Sequence, residues 1–147
     1  MEDLFKTYGI PAVIAAIVSA IINFRMNNRL ALRKELNDEI TVFSKKIREI
    51  KDISVCYWMM DGRDESKETS IIIKIKEGRK DLLYILDKIK SQNQRPFLLQ
   101  YSDFWEVITS GEFQSNHKIK DSNKVMSIIE IAEDIITDVR FAFTDKY

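Results

Sequence analysis

Apolar residues recur along this chain at alternating steps of three and four positions, which is the spacing of one face of a helix. Neither proline nor glycine occurs between Pro11 and Gly62. We therefore predict a first helix that runs without a break to about Met60, with glycine in the Asp61–Gly62 pair as its stop signal. Its apolar seam is formed by Leu36, Ile40, Phe43, Ile47, Ile50, Ser54 and Tyr57.

Three further stretches repeat this spacing and predict helices at about 65–92, at 96–111 and from Asp121 or Ser122 onward. Pro96 can open the third helix, and Asp121 or Ser122 can cap the fourth. Gly78 weakens the second helix by about 1 kcal/mol relative to alanine, which indicates a close backbone contact or a kink. The pattern predicts an all-α fold, in which the N-terminal helix continues into an antiparallel bundle of about four helices.

The N-terminal part of the first helix contains an uncharged apolar segment, GIPAVIAAIVSAIINF, from Gly9 to Phe24. Extended back to Leu4, which adds the polar residues Lys6 and Thr7, it is about 21 residues long, enough to cross a ~30 Å hydrocarbon layer as a helix; the uncharged part alone would be short. The alternatives are a buried core helix and a cleaved signal peptide. An acidic start and the lack of a small-residue cleavage pattern disfavour the signal peptide. We predict a transmembrane anchor at 1–28 and a helical domain at 29–147.

The charges on either side of this segment predict its orientation. Glu2, Asp3 and Lys6 precede it, and a basic strip follows it. By the positive-inside rule, we expect a single-pass inner-membrane protein with its N-terminus outside and its C-terminal domain in the cytoplasm. We also expect the strip to bind lipid headgroups of the cytoplasmic leaflet. The strip consists of Arg25, Arg29, Arg33 and Lys34.

The faces of the predicted membrane helix differ in side-chain size and polarity. Small residues let helix backbones approach closely in lipid, and serine or asparagine can hydrogen-bond across the contact. We therefore predict self-association, and a pore lined by the polar residues if several copies close into a ring. The small strip is Ala12, Ala16 and Ala20, the polar strip is Ser19, Asn23 and Asn27, and the bulky side holds Ile14, Ile17, Val18 and Ile21.

The composition of the chain gives little indication of a catalytic site. The 147 residues carry no net charge and include one cysteine and one histidine, so we expect no metal site, no cofactor and no direct binding of nucleic acid. The single cysteine, Cys56, excludes an internal disulfide framework and fits a reducing compartment. His117 lies in a polar loop without the preceding arginine that small helical ribonucleases use. We therefore predict a protein that is not an enzyme.

The layout resembles a class of small bacterial proteins in which one N-terminal membrane helix carries a short cytoplasmic helical domain, several of which accompany antiviral systems. It is similar from Gly9 to Phe143 to the membrane accessory protein of type VI-B CRISPR loci. The shared elements are the segment IPAVIAAIVSAIINF, the basic strip and the seam from Leu36 to Tyr57. The resemblance implies a ring-forming defence effector that acts as a membrane pore.

Two main functional hypotheses follow from these patterns, and an enzyme whose site no motif identifies is a third, weaker one. The first is a non-enzymatic homo-oligomer of the inner membrane that forms a pore and depolarises the membrane in antiviral defence. The alternative is a membrane tether or adaptor whose bundle binds a cytoplasmic protein partner. The aromatic third helix, with Phe104 and Trp105, is interpreted as bundle core, with a partner-binding groove as the other possibility.

Overall fold

The structure is a computed structural model. It describes the backbone of residues 2–89 and 94–146 and the side chains of residues 12–89 and 94–144. Within these ranges the chain forms helices and no strands, as the sequence predicts. The four helices are α1 (Glu2–Trp58), α2 (Glu65–Ile89), α3 (Arg95–Thr109) and α4 (Ser122–Lys146). They fall into two units, Met1–Leu36 and Asn37–Tyr147.

The first unit consists of the N-terminal part of α1. Its backbone is helical from Glu2 onward, and every side chain from Ala12 to Glu35 is exposed. The side chains of residues 1–11, which include the beginning of the predicted membrane segment, lie outside the described part. Among the residues that the structure does describe, no helix carries an apolar stretch long enough to cross a membrane.

In the second unit, ion pairs fix the direction in which α2 runs against α1. Lys46 pairs with Asp81, and the Nζ of Lys74 lies 2.9 Å from the Oε2 of Glu49. A position further along α1 therefore pairs with an earlier position on α2. The two helices are antiparallel, as expected for helices joined by a short turn.

The last helix also runs antiparallel to α1 and to α3. The Nζ of Lys51 on α1 donates to Glu133 on α4 at 3.1 Å. The side chain of Gln100 on α3 donates to Asp138 on α4 at 2.9 Å, and the Nζ of Lys124, near the start of α4, donates to the carbonyl oxygen of Ser110, just after α3, at 2.6 Å. The carbonyl oxygen of Trp58, at the end of α1, accepts from the backbone N–H of Asp121, just before α4 begins. The second unit is therefore an up-and-down four-helix bundle.

The core of the bundle follows the predicted helical spacing. All seven positions of the predicted α1 seam are buried, which confirms the register of that helix. Phe104 is fully buried and Trp105 is half-buried, so the aromatic third helix contributes to the core. The buried apolar residues of the other helices are Ile71, Ile75, Leu82, Ile85, Leu86, Ile89, Tyr101, Phe104, Ile108, Val125, Ile128, Ala132, Ile135, Ile136, Val139 and Phe143.

The helix ends lie close to the predicted positions. Helix α1 ends at Trp58, two residues before the predicted end, and Gly62 adopts a positive φ of 80° in the turn that follows. A side-chain oxygen of Asp121 accepts from the backbone N–H of Lys124 at 3.0 Å, so Asp121 is the predicted cap of α4. The predicted end of the second helix, at residue 92, lies outside the described residues.

Gly78 marks a close contact, one of the two predicted explanations for a glycine at this position. It is buried on α2 and faces Tyr101 of α3. The hydroxyl of Tyr101 donates to the carbonyl oxygen of Ile75 at 2.7 Å, and a β-carbon on Gly78 would overlap that hydroxyl. Only glycine leaves room for the phenol and its hydrogen bond at this crossing.

Candidate functional site

The residues predicted to line a helix interface or a pore lie on the exposed part of α1. All six members of the small and polar strips are exposed in one copy of the chain. The structure therefore leaves both strips available for contact, and their role stays a prediction. The six residues are Ala12, Ala16, Ser19, Ala20, Asn23 and Asn27.

The bulky residues of the same segment are exposed as well. Val13, Ile17 and Ile22 each keep more than half of their surface accessible, so this apolar helix lacks cover on every side among the described residues. Both the apolar and the polar side chains of this segment are therefore accessible in a single copy of the chain.

The predicted headgroup residues directly follow the apolar segment. All four basic side chains are exposed, and none has a carboxylate within ion-pair distance among the described residues. Their charges are therefore available for an anionic surface, either lipid or protein. The four are Arg25, Arg29, Arg33 and Lys34.

A buried polar cluster lies in the second unit, where the α1–α2 turn meets the α3–α4 loop. The carboxylate of Glu68 is almost fully buried and accepts from the hydroxyl of Tyr57 at 2.8 Å and from the Nε of Arg63 at 3.1 Å. The same hydroxyl accepts from the backbone N–H of Gln114 at 3.1 Å. One carboxylate and one phenol thus connect α1, α2 and the α3–α4 loop.

Lys118 enters this cluster from the α3–α4 loop. Its side chain is only 2% exposed. The Nζ atom donates to the carbonyl oxygens of Tyr57, at 2.9 Å, and of Met60, and lies 4.6 Å from the centre of the Tyr57 ring. A lysine beside carbonyls at a helix C-terminus satisfies acceptors that have no partner in the helix, and its charge is favourable there.

The contacts of this cluster hold α1, α2 and the α3–α4 loop together. Burial lowers the pKa of the Lys118 ammonium group, a change that can activate a lysine as a nucleophile. Here, however, the ammonium is enclosed, held by two carbonyls and stacked on Tyr57. Neither Glu68 nor Lys118 is singled out by the sequence patterns above. The position of Glu68, one helical step before the buried Ile71, indicates burial, whereas no local pattern indicates burial of Lys118.

An open groove between α3 and α4 has a volume of about 440 Å³. Its apolar lining includes Phe97, Leu99 and Phe141, and two carboxylates, Asp103 and Asp138, border it. Leu99 is 53% exposed and Phe141 is 71% exposed, so the apolar lining of the groove is accessible. Neither Phe104 nor Trp105 lines this groove, and a partner-binding role for the aromatic third helix stays a prediction.

The residues with potential for chemistry are dispersed. His117 and Cys56 are both exposed, on the α3–α4 loop and on α1 respectively. In the described ranges no three metal-ligating side chains lie together.

Comparison with known proteins gives no match: no family model matches the chain, and neither a curated protein nor a solved structure matches it. The resemblance to the membrane accessory protein of type VI-B CRISPR loci stays a prediction from the sequence.

The buried tyrosines predict that the bundle loses stability in alkali. Burial raises the pKa of Tyr57 to about 12, and the pKa of Tyr101 is raised for the same reason. An unfolded tyrosine ionises near pH 10, so above that pH the unfolded chain binds fewer protons and the free energy of unfolding falls as pH rises. Lys118 has the opposite effect on stability. Because its pKa is lowered in the folded chain, it makes the free energy of unfolding rise with pH, but only up to about pH 10.5, the pKa of an ordinary lysine.

Urea unfolding of the full chain at pH values from 9 to 11.5 measures this loss. We expect Tyr57→Phe to be less stable than the wild type at pH 9 but to lose less stability above pH 10.5. Tyr84→Phe, at an exposed position on α2, is the matched control and should follow the wild-type profile. Equal slopes for Tyr57→Phe and the wild type would contradict the assignment.

Proposed function

We propose that this protein is a non-enzymatic, single-pass inner-membrane homo-oligomer whose assembled helices form a pore that depolarises the membrane in antiviral defence. In this proposal the N-terminus is outside the cell membrane and the helical bundle is in the cytoplasm. The single observation that carries the proposal is the exposed apolar segment of α1, which ends at a strip of unpaired basic residues.

Solvation energy supports the membrane part of the proposal. Exposed apolar surface costs about 25 cal/mol per Å² in water relative to an apolar environment. Six large apolar residues between Val13 and Ile22 are about half exposed, and a helix in lipid keeps all of its backbone hydrogen bonds. Lipid tails around this segment would cover its apolar side chains, and lipid headgroups would pair with the basic residues at its cytoplasmic end.

The face of small residues supports self-association in the membrane. Ala12, Ala16 and Ala20 are exposed in one copy and leave room for the backbone of another. Ser19, Asn23 and Asn27 lie beside them, where a ring of copies would bring their polar groups to a common axis. Such a ring supplies a polar path without ligands or chemistry, and this is the basis for proposing a pore rather than an enzyme.

The mass of the protein in mild detergent, after extraction from washed membranes, tests the assembly. We expect a closed ring of several copies. We also expect Asn23→Leu to reduce depolarisation, measured with a potential-sensitive dye in expressing cells, at least tenfold. Asn28→Leu is the matched control, because Asn28 lies off the polar strip, and it should leave depolarisation unchanged. A monomer in detergent, or a chain that leaves the membrane on washing, would refute the proposal.

The second candidate function is a tether or adaptor, which the groove between α3 and α4 favours. In that case the bundle binds a cytoplasmic protein and the helix only localises it. Deletion of residues 1–28 separates the two functions: partner binding by a tether should survive the deletion, whereas depolarisation by a pore should not. A tether also predicts no depolarisation by the full chain.

A further inference from the structure

The groove between α3 and α4 presents apolar side chains and negative charge together. Phe97, Leu99 and Phe141 contribute the apolar surface, and Asp103 and Asp138 border it. Asp138 accepts from the side-chain amide of Gln100 at 2.9 Å. Neither aspartate has a lysine or arginine within ion-pair distance among the described residues. The groove is therefore suited to a segment that is both apolar and basic.

The distribution of charge along the chain identifies such a segment. Among the described side chains, α3 and α4 carry three basic and six acidic residues, a net charge of −3. Residues 12–36 carry four basic residues and one acidic residue, a net charge of +3. The two regions are complementary, although the protein as a whole has no net charge.

One face of α1, next to the apolar segment, presents both apolar and basic side chains. Met26, Arg29, Leu30 and Arg33 follow the i, i+3, i+4, i+7 spacing and therefore share a face of the helix. Met26 is 55% exposed and Leu30 is 59% exposed, so neither is covered within one copy. The two arginines on this face lack carboxylate partners in the described part of the chain.

The exposed surface of α2 is a poorer match for the groove. It also presents apolar side chains, Ile73, Leu83 and Tyr84. However, α2 carries six basic and five acidic residues, and Lys74 already pairs with Glu49. Its charge is therefore largely neutralised within the bundle.

We propose that the groove of one copy binds residues 26–33 of a second copy. Met26 and Leu30 pack on the apolar lining, and Arg29 and Arg33 pair with Asp103 and Asp138. This inference rests on the proposed self-association and names its cytoplasmic contact surfaces. The two surfaces differ, so the contact is heterologous and repeats from copy to copy, which generates a ring if the rotation closes. Arg25 and Lys34 lie to either side of this face and stay available for lipid headgroups.

Charge exchange tests the pairing, with the full chain in detergent. We expect Asp103→Arg/Asp138→Arg and Arg29→Glu/Arg33→Glu each to raise the apparent dissociation constant of the oligomer at least tenfold. Combining all four substitutions should restore it to within about threefold, because the charges are exchanged rather than removed. Glu130→Arg, at an exposed position on α4 outside the groove, is the matched control and should leave the mass unchanged.

Cross-linking tests the geometry without altering a charge. In a Cys56→Ser background, one tagged copy carries Leu30→Cys and a differently tagged copy carries Phe141→Cys, and a short bis-maleimide is added to each alone and to the mixture. We expect a cross-link in the mixture and little in either copy alone. This measurement decides the question if the charge variants fail to fold.

The outcomes separate this inference from the proposed function. A wild-type monomer would overturn both. A wild-type ring with unaltered mass in both charge variants, or with Phe141→Cys cross-linking only to itself, would overturn the heterologous contact and leave the membrane assembly standing. Loss of the ring without rescue in the fourfold variant would also overturn the pairing, as would a cross-link from the groove only to a different cytoplasmic protein.

Discussion

Replacing Gly78 with alanine is expected to lower the free energy of unfolding by about 2 kcal/mol, whereas the same replacement in a Tyr101→Phe background is expected to be neutral or to raise it by up to about 1 kcal/mol. The added β-carbon would overlap the hydroxyl of Tyr101 and displace it from the carbonyl oxygen of Ile75. Without the hydroxyl, the nearest atom to the added β-carbon would lie at an ordinary van der Waals distance. The helix would then gain up to about 1 kcal/mol, because alanine is the better helix former.

A double-mutant cycle measured by urea unfolding checks this expectation. The coupling free energy between the two substitutions should be favourable and at least about 1 kcal/mol, larger than the error of such a cycle. Tyr101→Phe alone supplies the control, since it removes the hydrogen bond without adding volume. Equal losses from Gly78→Ala in both backgrounds would show that the contact between α2 and α3 is not what requires glycine here.

Lys118→Met is expected to lower the free energy of unfolding by about 2–3 kcal/mol. Methionine keeps much of the apolar stem but cannot donate to the carbonyl oxygens of Tyr57 and Met60, or stack a charge on the Tyr57 ring. Two acceptors at the end of α1 would then lack their buried donor. The loss is partly offset because the ammonium no longer has to be removed from water, a penalty that also lowers the pKa of Lys118.

Tryptophan fluorescence during urea unfolding measures this effect, because Trp58 lies beside the ammonium group, 5.7 Å from the Lys118 Nζ to its ring. Lys120→Met is the matched control. Its side chain is exposed and only its backbone N–H is used, in a hydrogen bond to Asp61, so its effect should stay within about 0.5 kcal/mol. Similar losses for the two variants would mean that Lys118 does not stabilise the end of α1.

The order of the helices and the α1 seam could be predicted because they depend on local spacing. A buried helix face repeats every three or four residues whatever it packs against, and Leu36 to Tyr57 show this without interruption. Gly78 stood out because glycine weakens the interior of a helix, although the sequence could not distinguish a close contact from a kink. Glu68 occupies a core position in the register of α2, so that register predicts a buried side chain there.

The candidate site also combines features that could be predicted from one helix with features that depend on how the helices pack. The small, polar and basic strips of α1 are read from residue types on a single helix, and the structure adds that all of them are exposed. A partner-binding groove was only one of two interpretations of the aromatic helix, and a groove between α3 and α4 was not predicted. Phe97 and Phe141 are 44 positions apart in the sequence, and nothing local indicates that they border the same groove.

The sequence by itself determined an all-α chain, the register of its first buried seam and an apolar N-terminal segment followed by basic residues, because each is a property of neighbours on one helix. The tertiary structure alone decided that Lys118 closes the end of α1, that Tyr101 excludes a β-carbon at Gly78 and that Asp103 and Asp138 border one groove. These contacts join distant parts of the chain, and their energies exist only after the helices have packed.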